Sequence, residues 1–132
     1  KSFETLLIKS LGFQILKNPN HFDGLVEQFQ KYFKGKLESF QFPLDLGLGT
    51  PFQQKVWKGL LTIPYGSTRS YKWLAKSIKH PDSARAVGNA NGKNPLPIII
   101  PCHRVVCENG DLGGYTGGIQ TKRYLLELEK AI

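Results

Sequence analysis

The sequence predicts an α+β chain of 132 residues. A short N-terminal α/β portion over 1–46 is followed by a mainly helical C-terminal domain over 50–132, which contains a helix-turn-helix and a rigid loop around Cys102. Three observations predict this. Apolar residues recur at helical spacing in several short segments from Leu25 onward. Phe40, Phe42 and Leu44 alternate as in a short strand or an extended linker. The stretch Ile98-Ile99-Ile100-Pro101-Cys102-His103-Arg104-Val105-Val106 is a β-branched run of buried-strand type, interrupted by a thiol, an imidazole and a guanidinium.

Residues 1–17 carry an apolar cluster without a clean period, and Asn18-Pro19-Asn20 breaks it. From Leu25 to Leu37 the residues Leu25, Val26, Phe29, Tyr32, Phe33 and Leu37 predict a helix, with Gly35 near its end. Gly47 and Gly49 loosen the chain, which places the boundary at 46–49. Thr50-Pro51-Phe52-Gln53 reads as a capping box with proline at the first helical position. Phe52, Val56, Trp57, Leu60 and Leu61 supply that helix's apolar face until Pro64. Ser70 caps a second helix reaching Ile78. His80-Pro81-Asp82 breaks the chain, and a third helix is expected from about Pro81 to Asn89. From Asn91 to Pro97 turn formers predict a loop. A closing helix over 119–132 is expected to turn Leu125, Leu128 and Ile132 inward, with Glu129 near its end.

Charge narrows the function. The net formal charge is +8, and it is uneven. Residues 1–50 balance to +1, whereas 51–132 carry twelve Lys and Arg against five Asp and Glu. A basic domain of this size points to a polyanion partner. The third helix offers Ala84, Ala86, Gly88 and Ala90 with one long side chain, Arg85. Small residues suit close approach to a groove more than base reading, which normally takes several long polar side chains. No stretch reaches membrane-spanning length, so no membrane partner is expected. Cys102 and Cys107 lie too close in sequence to staple distant parts of a fold, which fits a reduced, intracellular setting: cytoplasmic, or nuclear in a eukaryote.

Pro95, Pro97 and Pro101 stiffen the approach to Cys102 and remove three backbone donors. A stiffly held thiol next to a titratable ring is what a nucleophile needs. A plain reading also stands, because a free cysteine commonly packs as a small hydrophobe, and on an ideal strand Cys102 and His103 would face opposite sides.

Ile100-Pro101-Cys102-His103-Arg104-Val105 resembles the active-site motif of the O6-alkylguanine-DNA alkyltransferases. Thr50-Pro51-Phe52-Gln53, Ser70-Tyr71, Ala84-Arg85-Ala86-Val87-Gly88, Asn94-Pro95, Tyr115-Thr116-Gly117-Gly118 and Glu129 follow in the family's order, from about Phe22 to the C-terminus. The resemblance implies single-turnover transfer of an alkyl group from guanine in double-stranded DNA to Cys102, by a monomer with neither cofactor nor metal. It implies a water-linked relay of Cys102, His103 and Glu129, with Tyr71 supplying a proton or hydrogen bond to the departing base. It places the backbone of Val105 and Thr116 and the Tyr115 ring around the extruded base. Arg85 would fill the gap left in the stack, beside Ala84, Ala86 and Gly88, and Asn94 would tie the helix-turn-helix to the active-site loop. Extrusion is required because the oxygen attacked lies inside the duplex. Thr116 stands where many members carry serine, and the N-terminal portion is short for the family.

Two other readings remain at this point. A non-catalytic helix-turn-helix regulator would leave Cys102 structural. A zinc module of Cys102, His103 and Cys107 lacks a fourth ligand, since His21 and His80 sit in unrelated segments.

Overall fold

The computed structural model describes residues 24–41, 46, 47, 49–115 and 117–132. The cluster of 1–17, the Asn18-Pro19-Asn20 break, His21, Phe42, Leu44 and Thr116 lie outside the described residues. The chain divides into two compact units, Lys1–Leu44 and Asp45–Ile132.

In the first unit, α1 spans Leu25–Phe33 and buries Leu25, Phe29 and Tyr32. It stops short of Leu37 because Gly35 turns left-handed at φ 73° and the chain folds back. Lys36 N–H donates to Lys31 O at 2.8 Å and Gly35 N–H to Tyr32 O at 2.9 Å, which satisfies two terminal carbonyls. Phe40 packs tilted against Phe29 at 4.9 Å between centroids. Of the two forms the alternation allows, Phe40 and Gln41 take the linker and not the strand, since both backbone groups of Gln41 bond the Gln28 side chain.

The second unit runs α2 (Pro51–Leu60), β1 (Arg69–Ser70), α3 (Tyr71–Ser77), α4 (Ala84–Gly92), a 3₁₀ turn (Cys102–Arg104), β2 (Val105–Val106) and α5 (Ile119–Leu128). The capping box is formed: Gln53 N–H donates to Thr50 Oγ1 at 3.1 Å, and Thr50 N–H to Gln53 Oε1 at 3.0 Å. Val56, Trp57 and Leu60 are buried, and Trp57 Nε1–H donates to Ala90 O, tying α2 to α4. Leu61 is exposed and Phe52 half-buried; Ile63 turns into the core in their place.

Three further expectations shift. The helix expected from Pro81 begins at Ala84, because Pro81 and Asp82 form the turn closed by Ser83 N–H on His80 O. It continues to Gly92, so Asn91 is helical and buried rather than in a loop. Strand in the isoleucine run is confined to Val105–Val106, apart from an isolated bridge between Pro97 and Ile100. Ile98 adopts φ 76°, a region β-branched residues rarely visit, and Pro101 leads into the 3₁₀ turn. α5 ends at Leu128, where Lys130 turns to φ 60°. Its buried face is therefore Thr121, Lys122, Leu125 and Leu126, with Ile132 exposed and Leu128 half-buried.

β1 and β2 pair in parallel, Arg69 with Val105 and Ser70 with Val106. This short pairing fixes the site. Tyr71 follows β1 directly, and Cys102 lies three residues before β2. Among the described residues no helix is long and apolar enough to cross a membrane.

Candidate active site

Cys102 is held from both sides. Asn94 accepts Leu96 N–H on Oδ1 at 2.9 Å and donates Nδ2–H to Ile100 O at 2.7 Å, so one side chain clamps the proline-rich loop. Cys102 N–H closes a tight turn on Ile100 O at 2.8 Å, and Arg104 N–H bonds Pro101 O. The 3₁₀ turn also frees Cys102 and His103 from opposite-face strand geometry. Cys102 is 5 % exposed and lines a cavity of about 320 Å³, together with Tyr71, Gly88, Asn91, Gly114 and Tyr115.

Behind the thiol sits a buried charge network. His103 Nε2 lies 2.7 Å from Glu129 Oε2. Arg104 donates Nε–H to Glu129 Oε1 at 2.8 Å and Nη2–H to Oε2 at 3.0 Å, and its Nη1–H reaches Ile63 O at 2.8 Å. Burial pushes the Glu129 carboxyl up, but hydrogen bonds from His103 and Arg104 overcome it and hold the pKa at about 2. Glu129 is therefore a carboxylate, and His103 must present Nε2–H to it. Burial holds the His103 pKa below its ordinary value despite Glu129, and Arg104 and Lys122 add to the lowering. The ring is neutral, and Nδ1, which has no hydrogen-bond partner, keeps a basic lone pair.

Burial raises the Cys102 thiol pKa, with partial opposition from the Asn94 side chain, the Lys122 charge and the Tyr115 hydroxyl. A thiol kept protonated needs a base to become a nucleophile, and neutral His103 is the adjacent candidate. Tyr71 is likewise pushed up by burial and by the two cysteines, so it keeps its proton to donate. Gly113, at φ 73°, brings its loop against the Tyr71 hydroxyl and Cys107 sulfur, where an added Cβ would stand 3.3 Å from each. At this glycine the close approach is to the protein itself.

Such an arrangement can supply a shielded sulfur nucleophile, a base and an acid. Comparison with known proteins decides the family. A family model described as the DNA binding domain of 6-O-methylguanine DNA methyltransferase matches residues 51–131. The chain belongs to the O6-methylguanine-DNA methyltransferase family. A methylated-DNA–protein-cysteine methyltransferase of Mycobacterium tuberculosis is 59% identical over 114 residues, 86% of this chain and 68% of that protein. One from Methanosarcina barkeri is 50% identical over 115 residues, 87% and 72% of the two. The crystal structure of Mycobacterium tuberculosis OGT in complex with DNA superposes with a TM-score of 0.81 at 60% identity, covering 83% of this chain and 68% of that one.

Within this family's motif the structure brings Cys102, His103, Glu129, Tyr71, Tyr115 and Asn94 into one neighbourhood. Val105 is buried in β2, and its carbonyl accepts Lys122 Nζ–H at 2.6 Å. Ala84, Arg85 and Ala86 are exposed on α4, while Gly88 lies against the Tyr71 ring and lines the cavity. Among the described residues no three of His, Cys, Asp and Glu gather as metal ligands, so Cys102, His103 and Cys107 do not form the zinc module considered above.

Three residues of the site were not assigned from sequence. Arg104 had stood out only as a charge in an apolar run. Lys122 is wholly buried, donates also to Gly114 O at 3.2 Å, and is lowered to about 8 by burial. Its place three, four and seven residues before Leu125, Leu126 and Glu129 puts it on their helix face, a signal the periodicity held. Asn91 gave no such signal, because turn formers around it mask the end of α4.

Proposed function

We propose that this chain repairs alkylated DNA by taking O6-alkylguanine out of the duplex and moving its alkyl group irreversibly to Cys102. The observation that carries this reading is Cys102 on a cavity wall, with the His103–Glu129 pair at 2.7 Å behind it. His103 takes the thiol proton, through a water as the family resemblance implies. Sulfur then attacks the alkyl carbon in line, the carbon–sulfur bond forms, and the bond to guanine O6 breaks with its electron pair leaving on the base. Tyr71 supplies the departing base with a proton or hydrogen bond, which offsets the negative charge that the electron pair leaves on it. The thioether has no route back, and each molecule acts once.

DNA is the partner that fits the basic half, bound through α3, its turn and α4 as a helix-turn-helix. Arg85, exposed between Ala84 and Ala86, fills the space left by the extruded base. Asn94 ties that element to the Cys102 loop through its two hydrogen bonds. The protein acts as a monomer on this reading. A regulator that only bound DNA would have no use for a neutral buried histidine held by a carboxylate beside a thiol.

Mass spectrometry after mixing with duplex DNA containing one O6-methylguanine tests the proposal. The protein should gain the mass of one methylene on the peptide carrying Cys102. Turnover beyond one equivalent, or label elsewhere, would overturn it.

A further inference from the structure

Arg104 stands behind the thiol, and the reaction above gives it no task. It is 7 % exposed, and a guanidinium that deep has to use its donors. Two of them grip Glu129: Nε–H donates to Oε1 at 2.8 Å and Nη2–H to Oε2 at 3.0 Å, a fork that fixes the plane of the carboxylate. The other end is anchored on the loop between α2 and β1. There Nη1–H reaches Ile63 O at 2.8 Å, and the Tyr65 ring centroid lies 5.7 Å from the guanidinium carbon. Glu129 Oε2 thus serves two groups at once, Arg104 and, at 2.7 Å, His103 Nε2. His103 Nδ1 is left buried without a partner.

A buried carboxylate needs a counter-charge. With an imidazole as its sole partner, Glu129 would draw that charge onto the ring, and His103 would rest as an imidazolium with a proton on Nδ1. Such a ring could take no proton from the thiol, because a base serves only while it is unprotonated at the working pH. Arg104 supplies the counter-charge instead. The charged groups that act on His103 are Glu129 and Lys122 of α5 and Arg104 of its own turn; Glu129 favours a proton on the ring, and the two cations oppose it. We propose that Arg104 is a positioning residue for alkyl transfer: by neutralising Glu129 and holding it in one plane, it keeps His103 a neutral base whose free nitrogen is reserved for the thiol proton. The inference rests on the alkyltransferase reading above and deepens it. Arg104 is not among the residues that line the cavity, so it acts through Glu129.

The test is the pH dependence of single-turnover transfer from a duplex carrying O6-methylguanine, read for the unsubstituted protein, Arg104→Met, Arg104→Gln and Arg104→Lys. Removing a positive charge near the ring makes it easier to protonate, so the acid-side midpoint of the rate should move up by roughly one pH unit or more in the Met and Gln variants. Their deficit should then be roughly tenfold larger at pH 6 than at pH 8.5, where the ring is neutral again. Using both variants keeps the test open if one fails to fold. Arg104→Lys keeps the charge but not the fork, so its midpoint should stay in place while the rate falls evenly across the range. Nitrogen-15 NMR of His103 reads the same charge without any transfer: a neutral ring protonated on Nε2 at pH 7 in the unsubstituted protein, and an imidazolium in the Met and Gln variants. An unmoved midpoint in those two variants, with an even loss at every pH, would make Arg104 structural and overturn the proposal while leaving alkyl transfer intact. An imidazolium at pH 7 in the unsubstituted protein would overturn it as well. Failure of the unsubstituted protein to methylate Cys102 would instead bring down the alkyltransferase reading, and this one with it.

Discussion

Behind Cys102 and in front of it, the protein treats polar groups in opposite ways. Behind, Glu129 accepts from His103 and Arg104 on both oxygens, and Arg104 spends its remaining reach on Ile63 O. In that network the His103 and Glu129 side chains are both fully buried. In front, the cavity wall carries Tyr71, Tyr115 and Asn91, and Asn91 Oδ1 has no partner. The difference teaches that the protein itself satisfies the carboxylate behind the thiol, while Asn91 and Tyr115 on the cavity wall keep buried polar atoms unpaired. Within the rear network His103 Nε2 is held by Glu129, while Nδ1 has no partner.

The sharpest way to separate the regions is to remove the atom between them. Cys102→Ser should abolish alkyl transfer outright, because a hydroxyl without a strong base is a poor nucleophile. Duplex binding, measured by fluorescence anisotropy, should persist within a few-fold. If the serine variant still accepted a methyl group, the sulfur would not be the acceptor.

Breaking the rear network should cost the most stability. Glu129→Ala leaves Arg104 buried without its carboxylate, and removal of one partner of a buried ion pair typically costs about 3–5 kcal/mol. For a domain of this size that lowers Tm by roughly 10–20 °C, readable by calorimetry. Removing a front-side group such as the Tyr71 hydroxyl, as in Tyr71→Phe, should change Tm far less while slowing transfer by about 10²-fold or more. Similar Tm losses in the two variants would erase the distinction between the regions.

Acid probes the same network without mutation. The Glu129 pKa falls from an ordinary 4.5 to about 2 on folding, so the folded state binds fewer protons than the unfolded one between those values. Its contribution, on the order of 3 kcal/mol, is complete above pH 4.5 and is lost as pH falls toward 2. His103 adds in the same direction from higher pH: its folded pKa lies below 6.5, so the unfolded chain takes up the proton first. Urea denaturation at a series of pH values should show stability declining below about 6.5 and more steeply below 4.5. A flat profile down to pH 3 would mean that Glu129 is not held as an ion pair.

Arg85 lies outside both regions, on the exposed start of α4, which makes it a control on extrusion. Arg85→Ala should slow repair of duplex DNA by about 10- to 100-fold, reflecting part of an unstacking cost of a few kcal/mol. Transfer from a free alkylated base needs no extrusion and should change little. Equal losses on both substrates would assign Arg85 a structural role.

The two regions were also unequally legible in the sequence. The capping box at Thr50, the cap at Ser70 and the Val56, Trp57 and Leu60 part of the apolar face of α2 are local signals that form as read, whereas Leu61 of that face is exposed. The relay pair, His103 with Glu129, spans 26 residues and was reachable only through the family motif. Ile98–Val106 misled as a strand because composition reports burial, whereas prolines at 97 and 101 and the left-handed Ile98 decide the backbone. Asn91 stayed hidden for the converse reason. Helix α4 outlasts its turn-forming composition because Val87 and Ala90 pack inward and Trp57 holds the Ala90 carbonyl.

The smallest expected effect follows the reaction itself. A tightly packed thiol would pay for methylation by overfilling, typically about 1–3 kcal/mol. Here Cys102 faces a cavity of about 320 Å³, which has room for a methyl group, so steric cost is minor. What remains is the loss of the sulfur's own interactions. The Asn94 side chain, the Lys122 charge and the Tyr115 hydroxyl all favour the thiolate, and a thioether can neither ionise nor donate a proton. Losing a hydrogen-bonded partner in a buried site costs about 1 kcal/mol. Asn94 also clamps the loop to which it belongs, so slack there is transmitted toward α4. The fully methylated protein should therefore melt about 3–5 °C below the free form, and exchange amide protons faster at the end of α4. Calorimetry and hydrogen exchange on the two forms check this. An equal or higher Tm after complete methylation would show that the front of the site gains as much from the new methyl contacts as it loses in polar ones.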